Sequence, residues 1–392
     1  MRCAPRLGCL VGWARPDLWP EWRQVNRQSV SAIPIAFVLE QSLGHVTYAK
    51  NLQEAVSQDP DVQPTWLPIE HGRPGSLQRL PVIGDNWSLQ ASYLARQALQ
   101  RAGAPAAFRA VFLHTQVTAL MSAHVLRWSN GIVSLDATPR NYDTFGLAYG
   151  HQRSPEIVER VKDILNRRAF RAAHHLVTWS DWARDSLIRD YGIPAGKVTA
   201  IPPGTNLDLW QQYSGQQVAG GKLRLLFVGG DFRRKGGDLL LDVFRHRLAD
   251  CCELDLVTSV PLPPLPPGVR VHRGIAPNSV PLRKLFADAD VFVLPSRADC
   301  LAVVLMEATA ARLPIVTTGV GALAEAVHNG ENGMVIAPDD GNALGDAILR
   351  LQAEPALRAR MAEVSYQLAQ ERFDARKSAR RLLALLKEVA EQ

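Results

Sequence analysis

The chain has 392 residues, 47% hydrophobic and 21% charged, with a net charge of +6. That length exceeds what one hydrophobic core usually organises, so two domains are expected, with the composition of a soluble globular protein. The mild charge without aromatic-basic interleaving argues against nucleic acid, no apolar run approaches the roughly 20 residues of a membrane helix, and the five cysteines, two of them adjacent, suit neither a disulfide framework nor a zinc set. A cytoplasmic location is the resulting expectation.

Residues 1–31 carry Trp13, Trp19 and Trp22 among prolines and arginines without periodicity, and read as an extension. Its start, MRCAPRLGCLVGWARPD, is basic with a short apolar patch. Trp13, Arg15, Pro16 and Asp17 interrupt that patch before a cleavage site, which disfavours a signal peptide. The first strand is IPIAFVLE, followed by the loop QSLGHVTY and a helix over YAKNLQEAV. Further strands are expected at residues 61–66, 110–114 and 132–136, and helices at residues 89–101 and 155–173. Residues 165–175 concentrate base without acid; a solvated helix face is the first reading, and contact with anionic lipid head groups or an anionic acceptor the second.

From His175 the alternation sharpens. HHLVTWS reads as a strand, Ser180 stands where an N-cap belongs, and Gly192 with Pro194 ends the helix DWARDSLIRDYG. KVTAI is the next strand, and the polar stretch NLDLWQQYSGQQVAGGK reads as a linker. The expected organisation is a first domain at 32–205, a linker at 206–221, a second domain at 222–370 and a terminal helix at 371–392. In the second domain LRLLFVG, CELDLVTS, VRVHRGI, VFVLPS, PIVTTG and MVIAP alternate with helices beginning near Gly236, Val280, Leu301, Leu323 and Asn342. This pattern predicts a parallel, doubly wound sheet, which binds ligands at the carboxyl ends of its strands.

Candidate chemistry gathers in a few places. FVGGDFRRKGGD ends a strand, exposes two glycine pairs, brings Arg233, Arg234 and Lys235 together and enters a helix, which suits a diphosphate; a tight turn with solvated arginines is the competing reading. It is neither GxGxxG nor a P-loop. Asp299 stands at the start of a helix read as LAVVLMEATAARL, and Glu307 lies within it. Eight residues on a helix turn about 80° and rise about 12 Å, so these acids suit opposite ends of one elongated ligand. Asp136 and Thr138 follow a strand in GIVSLDATPRNYD, where a site residue competes with a plain turn. Gly44 and His45 sit in the first strand's loop, and His114 ends another strand; structural histidines compete there. Asp288-Ala289-Asp290 punctuates a helix end and is assigned no metal.

The block PSRADCLAVVLMEATAARLPIVTTGVGALAEAVHNGENGMVIAPDD resembles the signature of the retaining family 4 glycosyltransferases. The family's Glu, seven residues, Glu appears here as Asp299 and Glu307. LRLLFVGGDFRRKGGDLLLDVF and LVTWSDWARDSLIRDYGIPAGKVTAIPPGTNLDLW resemble further segments of that family, so the likeness spans residues 175–340. It implies the GT-B architecture: α/β, two Rossmann-like doubly wound domains facing a central cleft, with the last helix crossing back onto the first. It also implies a nucleotide-sugar donor on the second domain, an unspecified hydroxyl acceptor on the first, no cofactor, no metal, and retention through same-face attack assisted by the leaving phosphate.

By that resemblance Lys235 matches the phosphate lysine, and Gly230 replaces the usual arginine, leaving Arg233 or Arg234 to supply the second charge. Glu307 matches the ribose-binding glutamate, Asp299 the acid near the donor sugar, and Leu301, Ala302 and Val303 the donor loop. Asp136 stands about where many relatives have a histidine close to the reacting sugar, and Gly44 with His45 approach acceptor or diphosphate. A sugar-nucleotide epimerase of similar fold and a catalytically silent nucleotide-sugar-binding protein are the rival readings.

Overall fold

The computed structural model of the chain describes residues 32–41, 44–70, 86–145, 155–211 and 221–392. The extension at 1–31 and the middle of the expected linker, 212–220, lie outside the described residues.

Two six-stranded parallel sheets organise the chain. The first contains β1 (Ile33–Glu40), β2 (Val62–Ile69), β3 (Ala110–His114), β4 (Gly131–Leu135), β5 (His175–Thr178) and β6 (Val198–Ala200), in the order β2-β1-β3-β4-β5-β6. The second contains β7 (Leu223–Val228), β8 (Cys252–Val257), β9 (Val269–His272), β10 (Val291–Leu294), β11 (Ile315–Thr318) and β12 (Gly333–Ile336), in the order β12-β11-β10-β7-β8-β9. The second order is that of the dinucleotide-binding folds; the first places only β2 beyond β1, as in flavodoxin-like sheets. Interior strands such as AVFLH and VFVL are buried at every position, which is why they read as continuous apolar runs. Alternate residues of β1 feed two cores: Ala36 and Val38 pack with Leu99, Phe170 and Leu187, while Ile35, Phe37 and Leu39 join the core shared with the second domain.

Each sheet reverses its direction of growth once, between β1 and β3 and between β7 and β10. A parallel sheet opens a crevice at such a point, beyond the carboxyl ends of its strands. The loops after these four strands are therefore the ones that can build a site.

Local chemistry sets the helix ends. The Ser180 side chain accepts from the Ala183 N–H at 3.2 Å, and Gly192, at φ 66°, closes the same helix, Asp181–Tyr191. Pro64 and Pro68 lie within β2, longer than expected; an edge strand tolerates their missing N–H groups. The sequence reading does not separate the short helices Gln116–Ala119, Ala123–Trp128 and Pro139–Asp143.

Helix Pro355–Arg372 is followed by the terminal helix Ala375–Ala390, which starts where the Asp374 carboxylate accepts from the Arg376 N–H at 2.9 Å. One expectation needs correction. The helix after Asp299 begins at Val303, not Leu301, since Ala302 is extended at φ −76°, ψ 112°.

The chain crosses between sheets at two adjacent places. The Thr205 N–H donates to the Phe373 carbonyl at 2.7 Å, and the Ala375 N–H donates back to the Thr205 carbonyl at 3.0 Å. Gly204 (φ 70°) permits this approach, because a Cβ there would lie 2.6 Å from the Ala375 nitrogen. Beyond the crossing, helix Ala375–Ala390 packs on helix His45–Ser57, and Lys387 Nζ reaches Asp59 at 2.9 Å and Asp61 at 2.8 Å.

Candidate active site

A cleft of about 1420 Å³ lies between the carboxyl ends of the two sheets. Its first-domain wall includes Glu40, Gly44, His45, Thr115, Asp136 and Tyr142; its second-domain wall includes Gly230, Arg234, Lys235, Asp299 to Val304 and Glu307. The two walls approach closely, and a Cβ on Gly44 would lie 3.4 Å from Val303 Cγ2.

The loops after β7 and β10 are built against each other. Gly236 has φ 75°, and a Cβ there would sit 2.0 Å from the Pro295 carbonyl oxygen, so only glycine fits. The Arg297 N–H donates to the Arg234 carbonyl at 2.9 Å, joining the two loops again. Arg234 is buried; Nε donates to Asp231 Oδ2 at 2.9 Å and Nη1 to the Ala298 carbonyl at 2.7 Å, with Nη1 3.7 Å from Asp299 Oδ2. Lys235 Nζ donates to the same Asp299 oxygen, and Ser296 Oγ stands 3.5 Å from it.

Arg233 behaves differently: its side chain is 89% exposed, lies 3.9 Å from Asp238 and is not part of the cleft lining. Of the two arginines left open by the sequence, Arg234 faces the cleft and Arg233 faces solvent.

Glu307 lies in helix Val303–Ala310, and its buried carboxyl borders the cleft. No hydrogen-bonding or charged partner reaches it among the described residues, and burial pushes its pKa up to about 8. It is therefore mostly neutral at pH 7. Asp299 lies in the loop before the helix, so the helical rise and rotation used to separate the two acids do not apply. That loop is held from below: the Ala322 N–H donates to the Cys300 carbonyl at 2.8 Å, and a Cβ on Gly321 would lie 2.0 Å from the Asp299 carbonyl oxygen.

On the opposite wall His45 Nδ1 and His114 Nε2 are 2.9 Å apart, and the Trp179 ring lies 5.2 Å and 5.1 Å from the two imidazoles. Burial, reinforced by His45, holds His114 well below the usual imidazole range, so the neutral ring serves as a support behind His45. Asp136 faces the cleft. Burial raises its pKa, and nearby His45 partly opposes the rise.

Thr138, only two residues on, is turned away into the protein. It caps helix Pro139–Asp143 with Asn141 and meets Ser186 Oγ at 2.6 Å. The turn reading thus fits Thr138. Glu40 and Thr115 escape the sequence reading; Thr115 Oγ1 donates to Glu40 Oε2 at 2.5 Å, joining the ends of β1 and β3 beside the cleft. An acid closing the apolar strand IPIAFVLE was the available signal.

Asp290, from the acidic triplet, accepts from the Arg224 N–H at 2.8 Å and pairs with its side chain. Among the described residues no group of His, Cys, Asp and Glu is placed to hold a metal ion.

The model described as Glycosyltransferase Family 4 matches residues 47–209, and that described as Glycosyl transferases group 1 matches residues 222–354. The chain belongs to the family 4 glycosyltransferases. The chain is 28% identical over 270 residues to a D-inositol 3-phosphate glycosyltransferase of Streptomyces avermitilis, a match covering 62% of the chain and 57% of that relative. The chain thus spans little more than half the length of such curated relatives.

Among solved structures, sucrose-phosphate synthase from Thermosynechococcus elongatus superposes with a TM-score of 0.70 at 19% identity, over 91% of this chain and 99% of that one. Anabaena HepE in complex with UDP-glucose superposes with a TM-score of 0.65 at 15% identity, over 91% and 100%. These likenesses show that the chain has the GT-B fold.

Proposed function

We propose that the chain transfers a glycosyl group from a nucleotide sugar to a hydroxyl acceptor with retention at the anomeric carbon. The observation that carries this reading is the meeting of Arg234, Lys235 and Asp299 at the reversal point of the second sheet, opposite Asp136 and His45 at that of the first. Lys235 exchanges its contact with Asp299 for a donor phosphate oxygen, Asp299 turns to a hydroxyl of the donor sugar, and Glu307 accepts from the ribose hydroxyls. The anomeric carbon to phosphate-oxygen bond breaks, and the acceptor oxygen bonds that carbon from the same face. The acceptor proton passes to the leaving phosphate, and Arg234 with Lys235 offsets the negative charge developing there. The HepE complex contains UDP-glucose, which makes it the first donor to try.

The test is a nucleotide-sugar screen by thermal shift followed by transfer assays. A bound donor at 100 times its dissociation constant adds about 2.7 kcal/mol of stability. Binding with neither transfer nor epimerisation would leave a silent binding protein, and epimerised donor would support the rival enzyme.

A surface feature favours a peripheral lipid contact as well. Helix Glu156–Ala172 exposes Ile157 (72%), Val161 and Ile164 (63%) along one stripe, continued by exposed Arg168 and Arg171, and the neighbouring helix ends in exposed Trp128. Aliphatic and aromatic groups beside arginines suit an anionic bilayer surface. Among the described residues no helix is long and apolar enough to cross a membrane. Sedimentation with phosphatidylglycerol vesicles, lost in an Ile157→Ser, Ile164→Ser double variant, supports the contact; equal sedimentation of parent and variant removes it.

A further inference from the structure

Glu325 lies on the short helix Leu323–Ala326, in the loop region after β11. Its carboxylate reaches across to the other domain. Oε2 accepts from the Asp181 N–H at 2.9 Å and Oε1 from the Trp182 N–H at 2.8 Å, the first two amides of helix Asp181–Tyr191. Those amides have no partner within their own helix, and a carboxylate there also meets the positive end of the helix dipole. Ser180 takes the next free amide, that of Ala183, so this helix start is capped from both domains.

Arg372 closes the arrangement. Nη2 lies 3.8 Å from Glu325 Oε2 and 3.9 Å from Asp181 Oδ2, and Nη1 donates to the Glu325 carbonyl at 3.4 Å. Arg372 is the last residue before Phe373, where the chain returns to the first domain.

Both ends of this contact lead directly to the cleft. On the second-domain side Gly321 and Ala322, a few residues before Glu325, pack on the backbone of Asp299 and Cys300. On the first-domain side Trp179, two residues before Asp181, rests against His45 and His114. One carboxylate therefore joins the backbone that carries Asp299 to the backbone that supports His45.

We propose that Glu325 is a positioning residue that fixes the orientation of the acceptor wall relative to the donor loop during transfer, an inference that rests on the transferase reading. Its effect is on geometry across the cleft and not on donor affinity, because the residues assigned to donor all lie on the second domain. Glutamine is a discriminating substitution: it keeps the shape but offers one acceptor oxygen, and its amide N–H₂ faces a backbone N–H.

The experiment compares the parent with Glu325→Gln and Glu325→Ala in three measurements. Calorimetry with the best nucleotide from the screen should give affinities within about twofold of the parent. Transfer should show kcat reduced roughly tenfold or more with donor KM little changed, more in Ala than in Gln. Solution X-ray scattering should show a broader interdomain distribution in Glu325→Ala than in the parent. Unchanged kcat in both variants overturns the proposal, as does a loss of nucleotide affinity that parallels the loss of transfer, which would make Glu325 a support of the donor loop alone. The scattering comparison stands without any activity: identical profiles overturn the positioning role even if the parent transfers no sugar, and that last outcome would strike the transferase reading separately.

Discussion

Glu307→Gln offers a sharp physical test, because the carboxyl is buried, borders the cleft and has no partner among the described residues. Its pKa moves from 4.5 to about 8 on burial. The folded state therefore holds this proton more tightly than the unfolded state does. Stability from the neutral acid is fully present below pH 4.5 and is lost as pH rises through about 8. Stability falls throughout that window, so between pH 5 and pH 7 the parent should lose roughly 2 to 3 kcal/mol relative to a side chain that does not titrate. Glutamine has nearly the same shape and no charge. Denaturant unfolding of parent and Glu307→Gln across pH 5 to 8, followed by a second-domain probe, should thus show the variant gaining on the parent as pH rises. Nucleotide affinity should move oppositely in the parent: ribose hydroxyls donate best to the ionised acid, so binding releases a proton and tightens toward pH 8, and the variant should lack that trend. Parallel stability profiles, with the same nucleotide pH dependence in both proteins, would refute the assignment of a neutral buried acid.

Lys235→Ala should weaken nucleoside diphosphate binding roughly tenfold or more, the scale of a charge-assisted hydrogen bond. Arg233→Ala should leave it within about twofold, since that side chain is in solvent, and calorimetry on the pair checks both. Asp299→Asn should preserve nucleotide affinity and lower transfer; equal loss of both would place Asp299 with the nucleotide instead. Asp136→Asn should lower transfer at unchanged nucleotide affinity, and a lower melting point with normal transfer per folded molecule would make it structural.

What the sequence reveals here follows the range of the interactions involved. Ser180 and Gly192 end their helix through contacts within a few residues, so residue type and spacing suffice to place them. The central strand VFVL of the second sheet, buried at every position, announces itself through an uninterrupted apolar run. Arg233 and Arg234 are neighbours with the same chemistry, yet one faces solvent and the other the cleft, because Ala298, 64 residues on, receives the Arg234 guanidinium. Asp299 reads as a helix start because an apolar run follows it, whereas the extended backbone at Ala302 delays the helix. Gly321 and the Asp299 carbonyl touch only after the sheet brings their loops together. Glu325 carries no local mark at all, since its partners lie 143 and 144 residues earlier.

The return of helix Ala375–Ala390 to the first sheet has a consequence for biosynthesis. The helix that covers helix His45–Ser57 leaves the ribosome long after β1 to β6 have emerged. Until then Leu52 and the strand residues behind it lack part of their apolar cover, while the second sheet already possesses all six of its strands. Nascent chains should therefore mature in reverse order, the later-made half becoming protease-resistant first. A frameshift within helix Ala375–Ala390 would injure the first-sheet half, which is encoded well before it.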